Sequence, residues 1–168
     1  MQELKYLKGY PDSVTEQVCL LVKDNKLGSI LTRKYPLAHT IRTEKTLYDF
    51  TVEKKNKFLS TSAPLSKVVF DGKINAIHNA LGTHTFVSRV QGAKLKAKHE
   101  IRIASVFKNA PLDFLEMIVV HELAHLKEKE HNKAFYKLCE HMLPNYHQLE
   151  FDVRLFLTYQ EISGPLYT

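Results

Sequence analysis

The 168-residue sequence carries only two cysteines, Cys19 and Cys139, far apart and in no CxxC pair. This excludes a disulfide framework and a cysteine-rich structural metal site, and predicts two reduced thiols within helices. Glycine and proline number six each, too few for a collagenous or low-complexity chain. There is no Gly-rich loop of the P-loop kind and no internal repeat. Long apolar runs are missing too. The longest, such as CLLV (19–22) and MIVV (117–120), are far too short to span a membrane. The opening MQELKYLKGYPD mixes charges of both signs around no apolar core, so no signal peptide is expected. These absences predict a cytoplasmic protein with no membrane partner.

What is present suits one globular domain over residues 1–168. The expected organisation is a helical part at about 1–60, then a sheet and a metal-binding catalytic part at about 61–160. Hydrophobic residues make up 44% and charged residues 25%, near the soluble average. The formal net charge of +6 favours anionic partners, nucleotides and nucleic acid among them. Ordinary solubility charge is the commoner cause of such an excess.

Helical spacing dominates the first third. Pro11-Asp12-Ser13 opens a segment with Val14, Val18, Leu21 and Val22 on one face. A short helix is expected over 26–34, stopping before Tyr35-Pro36, and a longer amphipathic one over roughly 43–59. After a loop at 60–64, the runs 67–70 and 73–77 flank Asp71-Gly72, which reads as a hairpin. Strand 86–90 follows. Residues 94–103 alternate strictly, with Lys94, Lys96, Lys98, Glu100 and Arg102 on one side. Asn109-Ala110-Pro111 then starts a helix that carries Leu112, Leu115, Ile118 and Val119 towards about Lys129. A further C-terminal helix is expected over about 133–142, ending before Pro144. The layout is α+β, with N-terminal helices, a small antiparallel-rich sheet, and helices bearing the motif.

That motif is His121-Glu122-Leu123-Ala124-His125. Residues four apart on a helix share a face, so both imidazoles reach one ion, while Glu122 on a neighbouring azimuth reaches water instead. Imidazole suits zinc, and three protein ligands leave a place for water whose pKa falls towards ~7. Glu122 is then the general base that takes the water's proton. His131, six residues on, is the expected third ligand by analogy with the spacing of catalytic zinc helices. Glu140 and Glu150 are its rivals. Another divalent transition metal suits the same ligands. A chance HExxH in a chain with nine histidines is rare, and chance does not also supply an amphipathic helix with a proline start.

The run IVVHELAHLKEKEHNKAFYKLCEHMLPNYHQLEFD (118–152) and the upstream VSRVQGAKLKAKHEIRIASVFKNAP (87–111) resemble the YgjP-like family of metal-dependent hydrolases. The early YPDS and the lysine-rich helix look similar as well. The resemblance implies a zincin-like catalytic half, zinc at His121, His125 and His131, and Glu122 as base. More distant SprT-like metalloproteases share the plan of a strand followed by an HExxH helix. Departures are visible. Many members carry Trp-Gly-Ser-Cys after the arginine that matches Arg89, where this chain has Val90-Gln91-Gly92-Ala93. After the third histidine they carry Phe-Trp, here Phe135-Tyr136. The glycine that metzincins place between the second and third histidines is Glu128.

Three substrate readings follow. An activity attributed within the resembled group is hydrolysis of UTP to UMP and pyrophosphate. Arg89, Lys94, Lys96, Lys98 and Arg102 would then neutralise phosphates, and Mg2+ would accompany the nucleotide. The same lysines also suit a solubilised or guarded strand edge. A zinc metallopeptidase needs an edge strand to hold an extended peptide, for which 95–103 is the candidate. A nucleic-acid binder with a structural metal ranks last, since no aromatics interleave with Lys94 to Lys98. Tyr136 and Tyr146 suit core packing or oxyanion stabilisation. His141 and His147 suit solvent or a place near the metal. Phe135, Leu138, Cys139 and Met142 are expected to pack the last helix beneath the site.

Overall fold

In a computed structural model of the chain, residues 3–74, 83–91 and 94–168 are described, with the backbone alone for 83–91 and 94–98. The described elements are α1 (Asp12–Lys23), α2 (Leu27–Lys34), α3 (Glu44–Phe58), β1 (Leu65–Asp71), β2 (Thr83–Gln91), β3 (Lys94–Ala104), α4 (Leu112–Ala124), α5 (Lys133–Met142) and α6 (Tyr146–Ser163). Short 3-10 turns occupy Lys5–Leu7 and Ser105–Asn109. The fold is α+β. No helix among the described residues is long and apolar enough to cross a membrane.

Local chemistry sets the helix ends. Thr43 caps α3 by accepting from the Thr46 N–H at 3.1 Å, and Thr46 reciprocates towards the Thr43 N–H, a capping box that satisfies two otherwise orphaned donors. Pro11 and Pro111 stand at the N-caps of α1 and α4. Asn132 caps α5 through the Phe135 N–H.

The sheet differs from the expected antiparallel one. Its order is β1-β3-β2, with β2 antiparallel and β1 parallel to β3. Asp71-Gly72 does turn the chain, since the Asp71 carboxylate accepts from the Lys73 N–H at 2.8 Å. β1 pairs with β3, while the returning arm of the expected hairpin, 73–77, lies for the most part outside the described residues. Parallel neighbours need a crossover, which no two-residue turn provides. The edge role expected of 95–103 fails over 99–102. β3 is the central strand, and over 99–102 it is hydrogen-bonded on both sides.

The core gathers around α4. From Phe114 to Ala124 nearly every residue is buried, His121 and Glu122 included, as expected of a helix that is apolar all round. α6 packs on α4 and α2 and contributes Tyr146, Leu149, Val153 and Phe156. It is a full helix beyond the expected end of helical structure at Pro144. The buried Glu150 and Asp152 interrupt its apolar stripe, which hides the period from a pattern search.

Candidate metal centre

His121 and His125 lie four residues apart at the end of α4. The helix stops at Ala124, with His125 as C-cap, rather than continuing towards Lys129. The stop comes from i+3 bonds that tighten the last turn: Leu126 N–H to the Leu123 carbonyl and Lys127 N–H to the Ala124 carbonyl. The chain folds back over 126–131 into the Asn132 cap of α5, which brings His131 above the two helix histidines. Glu128, where a glycine was the clan's pattern, does not have a positive φ. No glycine is needed in this turn.

The three rings form a nearly equilateral triangle. Centroids are 5.0 Å apart for His121–His125, 5.0 Å for His121–His131 and 4.9 Å for His125–His131. One donor atom from each falls within 4.8 Å of the others. The closest pair, His125 Nε2 and His131 Nε2, is 3.1 Å apart. Tetrahedral zinc, about 2.0–2.1 Å from each nitrogen, asks for donors roughly 3.3 Å apart. Among the described residues this is the one cluster of at least three metal-ligating side chains with that convergence. The rival ligands are engaged elsewhere: Glu140 with His147 at 2.8 Å, and Glu150 with Arg154 at 2.9 Å.

Hydrogen bonding on the far side of the rings decides which nitrogen is free. His125 Nδ1 is 2.9 Å from the Glu128 carbonyl. A carbonyl can only accept, so Nδ1 carries the proton and Nε2 of the neutral ring is a lone pair aimed at His131. His121 Nδ1 lies 2.8 Å from the Tyr146 hydroxyl. Burial holds the His121 pKa well below its ordinary value, and His125 and His131 add to the effect. His125 is lowered too, first by burial. His121 and His125, both held towards the neutral form by burial, converge with His131 into a donor set that suits a cation.

Glu122 supports the same conclusion. It is buried to 1% exposure, its Oε2 has no hydrogen-bond partner among the described residues, and burial alone pushes its pKa up to about 8. An orphaned buried carboxylate oxygen is costly, and a neighbouring cation or water removes that cost. The residues present therefore fit a metal ion. Phe135 lines the triad, with its ring 5.0, 4.6 and 4.9 Å from those of His121, His125 and His131. It is an apolar wall on one side of the triad, which His131 leaves open to solvent on another.

The remaining expected residues fall as follows. Phe135, Cys139 and Met142 are buried, with Leu138 packed at the core's edge. Burial pushes the Cys139 thiol up to about 12, so it is an inert neutral group. Cys19 is only half-buried, and both thiols are free. His141 meets Phe58 edge-on, and His147 pairs with Glu140. Arg102 is already committed to Asp71 at 3.0 Å and Glu100 at 3.4 Å. The strand register sets Arg89 opposite Lys96 and Gln91 opposite Lys94, and the side chains of Arg89, Lys94, Lys96 and Lys98 lie outside the described residues. Sequence reasoning missed the contact of Tyr146 with His121. The two are 25 residues apart, and only the packing of α6 on α4 joins them.

Residues 87–153 match the family model described as YgjP-like, metallopeptidase domain. A UTP pyrophosphatase of Escherichia coli (strain K12) is 60% identical over 158 residues, covering 94% of this chain and 95% of its own. None of the solved structures matches.

Proposed function

Because the chain belongs to the YgjP-like family of hydrolases, we propose that it is a zinc-dependent nucleoside triphosphate pyrophosphohydrolase, converting UTP to UMP and pyrophosphate. The observation that carries this reading is the 60% identity, spread over nearly the whole of both chains, to a UTP pyrophosphatase. In this reading the metal-binding part is zincin-like, a sheet followed by an HExxH helix.

His121, His125 and His131 would hold the ion through their Nε2 atoms. When bound, zinc supplies Lewis acidity towards water and offsets charge on the phosphates. Glu122, whose Oε2 is unpaired among the described residues, takes a proton from the water that attacks the α-phosphorus. The new bond joins water oxygen to that phosphorus, and the bond to the bridging oxygen breaks. Glu122 then returns the proton to the departing pyrophosphate. Arg89, Lys94 and Lys96 are the proposed phosphate-binding cations, and magnesium accompanies the nucleotide. Arg102 would have to release two carboxylates to join them.

A zinc metallopeptidase is favoured by the description of the matched family model. It needs a free strand edge for an extended peptide, and β3 offers none over 99–102. The test is an assay of zinc-loaded protein, with and without magnesium, against the four nucleoside triphosphates and an unfolded protein. Release of pyrophosphate, fastest from UTP and abolished by a chelator, is expected. Proteolysis without pyrophosphate release would reverse the order of the two readings.

A further inference from the structure

Tyr146 opens α6 and is completely buried, yet it carries a hydroxyl into the core. Phenylalanine would fill the same space without the cost of desolvating a polar group. The hydroxyl has two neighbours. His121 Nδ1 is 2.8 Å away, and the Cys139 side chain is a nearby group. The tyrosine and imidazole planes are only 17° apart, with centroids at 6.5 Å, so the contact is made at the ring edges.

The hydrogen in this contact has two possible positions, and they have opposite consequences. If Tyr146 donates to Nδ1, the neutral imidazole carries its own hydrogen on Nε2 and has no lone pair there. If Nδ1–H donates to the Tyr146 oxygen, Nε2 is bare, and the tyrosine hydrogen turns away from the imidazole. His125 shows the second arrangement in a form that cannot reverse, because the Glu128 carbonyl only accepts. A triad with two matching inward lone pairs requires His121 to follow His125.

We propose that Tyr146 is a positioning residue for the metal centre: its hydroxyl accepts the Nδ1–H of His121, fixing the tautomer and ring orientation that aim Nε2 at the ion. The inference rests on the metal reading of the triad and not on the identity of the substrate. Buried partners of metal-bound imidazoles typically contribute 10- to 100-fold in metal affinity.

Tyr146→Phe retains the ring and removes only the hydroxyl. Zinc affinity, measured by chelator competition on the full chain, is expected to fall about 10- to 100-fold while circular dichroism of the metal-free variant matches wild type. A merely structural tyrosine would change thermal stability without that shift in affinity. Two-bond 1H–15N spectra of the wild-type zinc form supply a second readout that needs no variant. They are expected to place the His121 ring proton on Nδ1 and the metal on Nε2. Wild-type affinity in folded Tyr146→Phe, or metal on Nδ1, overturns the proposal alone. A wild-type chain that binds no zinc overturns the metal reading and this proposal with it.

Discussion

His125 and His131 face each other through nitrogens 3.1 Å apart, and Glu122 holds an oxygen in the core with no hydrogen-bond partner among the described residues. A cation held among these groups would take the facing nitrogens and the buried carboxylate into one site. From this follows a sharp expectation for Glu122→Gln. The amide is isosteric and leaves the three imidazoles untouched, so zinc content measured by elemental analysis stays at wild-type level. Turnover falls by at least about 10²-fold, the lower range for removal of a general base; loss of zinc from this variant would contradict the role. The four-residue spacing and the neighbouring carboxylate were legible because helix geometry alone relates them. The preference for His131 over Glu140 and Glu150 rests on analogy of spacing; in the fold Glu140 pairs with His147 and Glu150 with Arg154. Tyr146 was visible only as an aromatic, since nothing local ties it to His121.

Helices were more legible than the sheet. The starts at Pro11 and Pro111 and the Asn132–Met142 segment follow from capping chemistry and 3.6-residue periodicity, both local properties. Strand pairing is non-local. Asp71-Gly72 forms a turn, but the partner of β1 is chosen by packing thirty residues downstream. The Thr43 capping box gives an element-scale test: Thr43→Ala should cost about 1 kcal/mol in urea unfolding and leave pyrophosphate release unchanged. A second concerns the joint between α2 and α6. Buried Asp152 accepts from Tyr35 at 2.5 Å, Lys34 at 2.7 Å and Gln148 at 3.0 Å. Asp152→Ala leaves the buried Tyr35 hydroxyl without that acceptor. It should cost about 1–3 kcal/mol by the same measurement, and an unchanged midpoint would show the network to be idle.

Across the whole molecule, one buried histidine joins the helical part to the approach of the motif helix. His39 Nε2 donates to the Phe107 carbonyl at 2.7 Å, its Nδ1 accepts from the Ile41 N–H at 3.0 Å, and its own N–H reaches the Ala110 carbonyl. Both ring bonds require the neutral imidazole. Burial lowers its pKa below the ordinary 6.5, despite the bond to Phe107. The unfolded chain therefore binds the proton more readily than the folded one. The contribution of His39 is complete above about pH 6.5 and is lost as pH falls from there through the lowered folded pKa. In thermal melts, His39→Asn should be less stable than wild type at pH 8, with the gap narrowing in mild acid; a gap that widens on acidification contradicts this sign.

The central claim is that three imidazoles hold one divalent ion, and a zinc titration of the metal-free chain beside His131→Ala tests it most directly. Wild-type protein should bind one zinc per chain, and the variant should lose stoichiometric binding while remaining folded. No stoichiometric zinc in the wild-type chain, or equal affinity in His131→Ala, would contradict the account.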